Sequence, residues 1–93
     1  MTKRREPLNL KTFTSNANRL IAYQRRLRDL RTDHDLKEHH LASLLNISQR
    51  TYAGYELGEI RPTIEVLVTL AEFYDVSLYY ILGLTSEKGS FNP

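Results

Sequence analysis

Two short helical segments separated by only three residues constrain this chain most. From Lys37 to Leu45 the sequence "KEHHLASLL" turns Leu41, Leu44 and Leu45 inward, with Ala42 small enough for a close helix contact. A second segment, Gln49 to Leu57, follows after Asn46-Ile47-Ser48. Asn tolerates the left-handed conformation that ends many helices, so Asn46 is the expected stop. Ser48 is the expected N-cap, its hydroxyl accepting a free N–H near Thr51.

The same logic divides the rest of the chain. Ser15 or Asn16 can cap a first helix that carries Leu20, Tyr23, Leu27 and Leu30 at 3-4-3 spacing and ends near Thr32. Gly58 closes the third helix, and Pro62 blocks continuation. Thr63 then caps a fourth helix with Ile64, Leu67, Val68, Leu70, Ala71 and Phe73. Asp75-Val76-Ser77 breaks that helix, and Ser77 caps a short fifth one, "LYYIL", closed by Gly83. Alternating apolar and polar residues bounded by hairpin turns are absent. The expected fold is all-α: five helices in one domain over residues 15–83. A basic, loosely ordered arm over 1–14 precedes it, and a flexible tail over 84–93 follows.

Composition sets the outer limits. Ninety-three residues suffice for one domain with one modest core, and 41% hydrophobic content fits a folded chain. With no Cys, neither disulfides nor Cys-ligated zinc are expected, and a reducing cytoplasm is the expected compartment. No apolar run approaches the ~20 residues of a membrane helix. The opening "MTKRREPLNL" has no apolar stretch typical of a secretory signal. Charge is unevenly spread: residues 1–35 carry nine Lys/Arg against four acids, +5, and residues 36–93 carry four against seven, −3. Such asymmetry can create a basic face for polyanions, although a solvated helix plus a basic tail gives the same count.

At ~100° per residue, the third helix divides into two halves. Tyr52, Tyr55, Thr51 and Glu56 fall on one, with the tyrosines toward the core. Gln49, Arg50, Ala53, Gly54 and Leu57 fall on the other. That outer half holds one amide, one guanidinium and two residues with almost no side chain. Gln can pair with adenine and Arg with guanine, and small residues let a helix backbone approach closely. A helix N-terminus aimed at DNA adds the positive end of its dipole for phosphate. An ordinary exposed face is the bland alternative, but Gly54 would cost such a helix ~1 kcal/mol relative to Ala. Two short helices joined by "NIS" form the arrangement of a helix-turn-helix, whose second helix enters the major groove.

The string "LASLLNISQRTYAGYELGEIRPTIEVLVTLAEFYDVSLYYILG" resembles the lambda-repressor-like, Cro/C1-type (XRE) helix-turn-helix family. Leu41-Ala42, Ile47-Ser48, Tyr55-Glu56-x-Gly58, Pro62 and the "AEFYDVSLYYILG" close carry the match, which runs from about Arg26 to Gly83. The resemblance implies five helices and sequence-selective binding of double-stranded DNA for transcriptional control. Its usual form is a homodimeric repressor on a pseudo-palindromic operator, bacterial or phage-encoded and nucleoid-associated when bound. It implies base-reading positions for Gln49, Arg50 and Gly54, with Ala53 beside them, and phosphate contacts for Ser48, Thr51 and Arg61. It also implies a pair, Arg31 and Glu56, that orients the recognition helix. Glu38 departs from the family, which commonly has Gln there for phosphate. Leu57 and Glu59 stand where the family often has basic residues. Lys37, the arginines of the first helix and Lys3, Arg4 and Arg5 are the candidates to compensate. Tyr79 and Tyr80 mark a possible dimer surface, because the short fifth helix cannot bury both.

The alternative function is a protein-interaction module on the same fold, an antitoxin component or a repressor antagonist, which Glu38, Leu57 and Glu59 favour. His34, His39 and His40 with their acidic neighbours are better explained as a solvated polar turn than as a metal site. No serine has a plausible His/Asp partner set and no glycine-rich phosphate loop exists. No enzyme activity and no cofactor are expected.

Overall fold

The computed structural model describes residues 8–11 and 22–92. Among them are five α-helices and no strand: α1 (Ala22–Asp33), α2 (Glu38–Leu45), α3 (Gln49–Leu57), α4 (Ile64–Tyr74) and α5 (Leu78–Ile81). The all-α, five-helix expectation holds. The expected start of α1 near Asn16 and most of the basic arm lie outside the described residues, as do Leu20, Lys3, Arg4 and Arg5.

Local chemistry fixes where these helices begin and end. Asn46 adopts the left-handed conformation (φ 57°) and stops α2. Ser48 Oγ accepts from the Thr51 N–H at 3.0 Å and starts α3. Gly58 ends α3 at φ 81°, a region in which an L side chain is strained. Thr63 Oγ1 accepts from the Val66 N–H and starts α4, which stops at Asp75 (φ 53°). Ser77 Oγ accepts from the Tyr79 N–H and starts α5.

Helix α3 packs on both α1 and α2, α1 also packs on α5, and α4 packs on α5. The core they share is built on Leu27, Leu30, Leu41, Tyr52, Leu70 and Ile81, each at most 1% exposed. Leu44 was expected inside but is 44% exposed. Helix α2 buries Leu41 and Ala42 and half-buries Leu45. At ~100° per residue Leu44 lies about 110° from the centre of that group.

The C-terminal segment is not the loose tail expected over 84–93. As far as Phe91 it is anchored on the domain. The Ser77 N–H donates to the Lys88 carbonyl at 2.7 Å, and the Phe91 N–H donates to Asp75 Oδ1 at 3.1 Å. Arg26 Nη2 donates to the Thr85 carbonyl at 3.1 Å, and the Phe91 ring packs half-buried against the core. These anchors come from backbone groups and from residues remote in sequence, which a local pattern does not register.

Candidate nucleic-acid interface

Helix α3 presents a narrow strip to the outside. Gln49, Arg50 and Leu57 are exposed and Ala53 is half-exposed, while Tyr52, Tyr55 and Glu56 are buried. The N–H groups of the first turn have no partner within a helix. Here Ser48 Oγ takes that of Thr51 and donates to Thr51 Oγ1 at 2.9 Å. Ser48 is exposed beside Gln49 and Arg50, and Thr51 is half-exposed. The N-terminal end of α3 is therefore the open end, carrying the positive end of the helix dipole and two side chains able to make paired hydrogen bonds.

Gly54 does not belong to that strip, contrary to its expected base-reading place. It is buried, and the chain leaving α3 crosses over it. A Cβ at position 54 would stand 2.7 Å from Ile60 Cδ1 and 2.8 Å from Ile60 Cγ1. The Glu59 and Ile60 N–H groups both donate to the Gly54 carbonyl, at 2.9 and 3.2 Å, closing the same turn. The space a side chain would take at position 54 is filled by the side chain of Ile60. The sequence held one clue, a mid-helix glycine with a large aliphatic residue six positions on.

A charged pair holds the inner side. Arg31 Nε donates to Glu56 Oε2 at 2.7 Å and Arg31 Nη2 donates to Glu56 Oε1 at 2.9 Å, a two-pronged bond between α1 and α3. Arg31 Nη1 also donates to the Leu36 carbonyl at 3.1 Å, which ties the α1–α2 turn to the same guanidinium. The two side chains are 16% and 3% exposed. The bond to Glu56 raises the Arg31 pKa above its ordinary value, so the guanidinium is always charged. Two planar forks leave little freedom for α3 to rotate. Tyr52 and Tyr74 lie buried nearby. Their hydroxyls have no hydrogen-bond partner among the described residues, although that of Tyr52 feels the Glu56 carboxylate. Burial raises the pKa of both phenols.

The remaining candidates separate. Lys37, the N-cap of α2, is exposed, and so is Arg61 in the loop after α3. Arg26, counted among the arginines available for phosphate, is turned inward. Its Nε donates to the Tyr80 carbonyl at 3.0 Å and its guanidinium lies 4.3 Å from the centre of the Tyr80 ring. Tyr80 is consequently buried at 6% exposure and is removed from the expected dimer surface, whereas Tyr79 is 65% exposed. Tyr79 stands beside a groove lined by Ser77, Leu78, Gly89, Ser90 and Phe91. His40 Nδ1 accepts the Lys37 N–H at 2.8 Å, and the His34 ring packs tilted against Tyr74 at 5.1 Å between centroids. Among the described residues no three His, Cys, Asp or Glu side chains are grouped to hold a metal, and no helix is long and apolar enough to cross a membrane.

Comparison with known proteins gives a consistent set of matches. A family described as "Helix-turn-helix" matches residues 27–81. The chain is 46% identical over 65 residues to the "Uncharacterized HTH-type transcriptional regulator YobD" of Bacillus subtilis (strain 168), covering 70% of this chain and 58% of that protein. It is 40% identical over 63 residues to the "HTH-type transcriptional regulator AnsR" of the same organism, covering 68% and 54%. It is 34% identical over 56 residues to the "Cryptic phage CTXphi transcriptional repressor RstR" of Vibrio cholerae, covering 60% and 50%. The chain thus spans about half the length of these curated relatives. No solved structure matches it.

Proposed function

The chain belongs to the helix-turn-helix family, and from that premise we propose that it is a sequence-selective DNA-binding transcriptional regulator acting as a repressor. Gln49 and Arg50 carry the assignment, because both stand exposed at the open end of a helix whose other sides are buried. Gln49 reads adenine and Arg50 reads guanine through paired hydrogen bonds in the major groove. Ser48, Thr51, Lys37 and Arg61 meet phosphates around that point, with Ala53 admitting the helix to the groove. The Arg31–Glu56 bond sets the angle of entry.

The protein acts as a homodimer that places its two α3 helices in successive major grooves about 34 Å apart, on a pseudo-palindromic operator. Occupancy of that operator by the protein on the nucleoid blocks transcription in the bacterial cytoplasm and requires no chemistry. The repressor sense is supported by the name of the Vibrio cholerae relative.

Selection of bound sequences from a random DNA pool yields the operator, its symmetry and its spacing in one step. A gel-shift titration on that operator then tests the reading face. Arg50→Ala is expected to bind the operator more weakly and to lose selectivity at the base pair that Arg50 reads while its thermal unfolding is unchanged. Normal binding by Arg50→Ala overturns the assignment.

A second function, a protein-interaction module on the same fold, is favoured by exposed Tyr79 beside the Leu78–Phe91 groove and by the acidic residues Glu38, in the first turn of α2, and Glu59, in the loop after α3. Salt separates the two. Affinity for DNA falls steeply as salt rises, by about one unit of logarithmic slope per phosphate contact. Capture of a protein through Tyr79 changes little.

A further inference from the structure

The exposed strip of α3 has two ends of different chemistry. Its N-terminal end holds the amide of Gln49 and the guanidinium of Arg50. Its C-terminal end holds Ala53 and Leu57, and Leu57 is 61% exposed. On the helical wheel Leu57 falls between Ala53 and Arg50, within the strip, and two turns along the axis from Arg50. Gly54, the neighbour that could have widened the strip, is covered by Ile60. A surface that runs along the helix axis from Gln49 and Arg50 therefore also meets Leu57.

Resting on the DNA-binding function above, we propose that Leu57 is a specificity-determining residue that reads the 5-methyl group of a thymine in each operator half-site. The major groove offers donors and acceptors on all four bases, but the C5-methyl of thymine is its apolar group. From Gln49 to Leu57 the helix rises about 12 Å. At 3.4 Å per base pair that length covers roughly four base pairs. A half-site therefore has a purine-reading end, where Gln49 and Arg50 pair with adenine and guanine. About three or four base pairs away it has a thymine end, packed by Leu57 with Ala53 alongside. A lysine or arginine at position 57 would add a phosphate contact. Leucine gives that up for discrimination between bases, which also fits the low number of basic residues around α3.

The test uses the full chain and the operator obtained by selection, with each thymine replaced in turn by uracil, which differs only in lacking the methyl. For the unaltered protein, one replacement per half-site, three or four base pairs from the selected purines, is expected to weaken binding about fourfold. Fourfold corresponds to the ~0.8 kcal/mol of one buried methyl-sized group. For Leu57→Ala the same replacement is expected to change nothing, because the methyl no longer has a partner. Leu57 is on the surface, and thermal unfolding of Leu57→Ala should match the unaltered protein, so lost discrimination cannot be confused with lost fold. Equal tolerance of uracil at every position, or thymine preference that survives Leu57→Ala, overturns the inference and leaves the DNA-binding function standing. So does a Leu57→Ala protein that binds the operator normally but fails to associate with a second copy. A random pool from which no sequence is enriched overturns both.

Discussion

The inner and outer sides of α3 differ in how many constraints each residue satisfies. On the inner side Glu56 accepts both prongs of Arg31, and Tyr52, at 0% exposure, is enclosed by core. On the outer side Gln49, Arg50 and Leu57 project from the helix, exposed to solvent. Side chains with few internal contacts can change without disturbing the fold, whereas the inner ones set where the outer ones point. Stability and recognition should therefore be separable by mutation along a single nine-residue helix.

The hardest test of that separation is Glu56→Ala. It leaves the mostly buried Arg31 guanidinium without its partner, and breaking a buried pair from one side costs roughly 3 kcal/mol. A chain of this size has a total stability on the order of 5–14 kcal/mol, so urea unfolding should shift to much lower concentration. DNA affinity should fall with it. An unchanged midpoint would mean that the pair orients α3 and adds nothing to stability. Arg50→Ala attacks the comparison from the other side. It should leave the midpoint within about 0.5 kcal/mol. At the same time it should remove about 1–3 kcal/mol of discrimination at one base pair.

Gly54 sits on the boundary between the two sides, and it shows what the sequence could and could not convey. The caps at Asn46, Ser48, Thr63 and Ser77 and the stop at Gly58 were legible because each depends on residues within a few positions of itself. The outward direction of Gln49 and Arg50 was legible for the same reason, since helical periodicity is local. The burial of Gly54 was not, because it depends on the path of the loop that brings Ile60 back over the helix. Arg26 and Tyr80 escaped for a stronger version of that reason. The arginine reaches carbonyls 54 and 59 residues away, and charge counting takes any arginine of α1 as available to DNA. The Arg31–Glu56 pair, 25 residues apart, came only from family resemblance; no spacing rule indicates it.

Gly54→Ala tests that boundary position. Two effects of opposite sign meet there. Alanine favours the helix by about 1 kcal/mol over glycine. Against that, its Cβ would stand 2.7 Å from Ile60 Cδ1, and overpacking of this kind costs about 1–3 kcal/mol. The net expectation is a loss of about 1 kcal/mol, read from the urea midpoint. Adding Ile60→Ala removes Cδ1 and Cγ1 and with them the clash, so Gly54→Ala should cost less in the Ile60→Ala background than in the parent, although Ile60→Ala gives up the partial burial of a side chain that is 39% exposed. A Gly54→Ala protein more stable than the parent would show that Ile60 swings aside freely. Position 54 would then join the outer side after all.

The smallest effect at neutral pH belongs to Tyr74 of α4, in the core that the inner side of α3 packs against. Tyr74 is 7% exposed and its hydroxyl is buried without a partner among the described residues. Tyr74→Phe keeps the ring and removes an unsatisfied polar atom, so stability at pH 7 should be unchanged or rise by up to about 1 kcal/mol. Alkali enlarges the difference, with a definite sign. Burial raises the folded-state pKa of this phenol above its unfolded value near 10. The protonated phenol of the folded state therefore contributes its full stability below pH 10, and that contribution is lost as pH climbs toward the folded value. Around pH 11 the unfolded chain has released the proton and the folded one still holds it, a loss of about 1.4 kcal/mol from this group alone. Tyr74→Phe has no such proton, so its stability should fall less steeply than the parent's above pH 10, with Tyr52 supplying the slope that remains. Parallel curves from pH 7 to 11 in urea titrations would mean that Tyr74 ionises as readily inside the protein as outside. The core around Tyr74 would then be open to water in a way its burial denies.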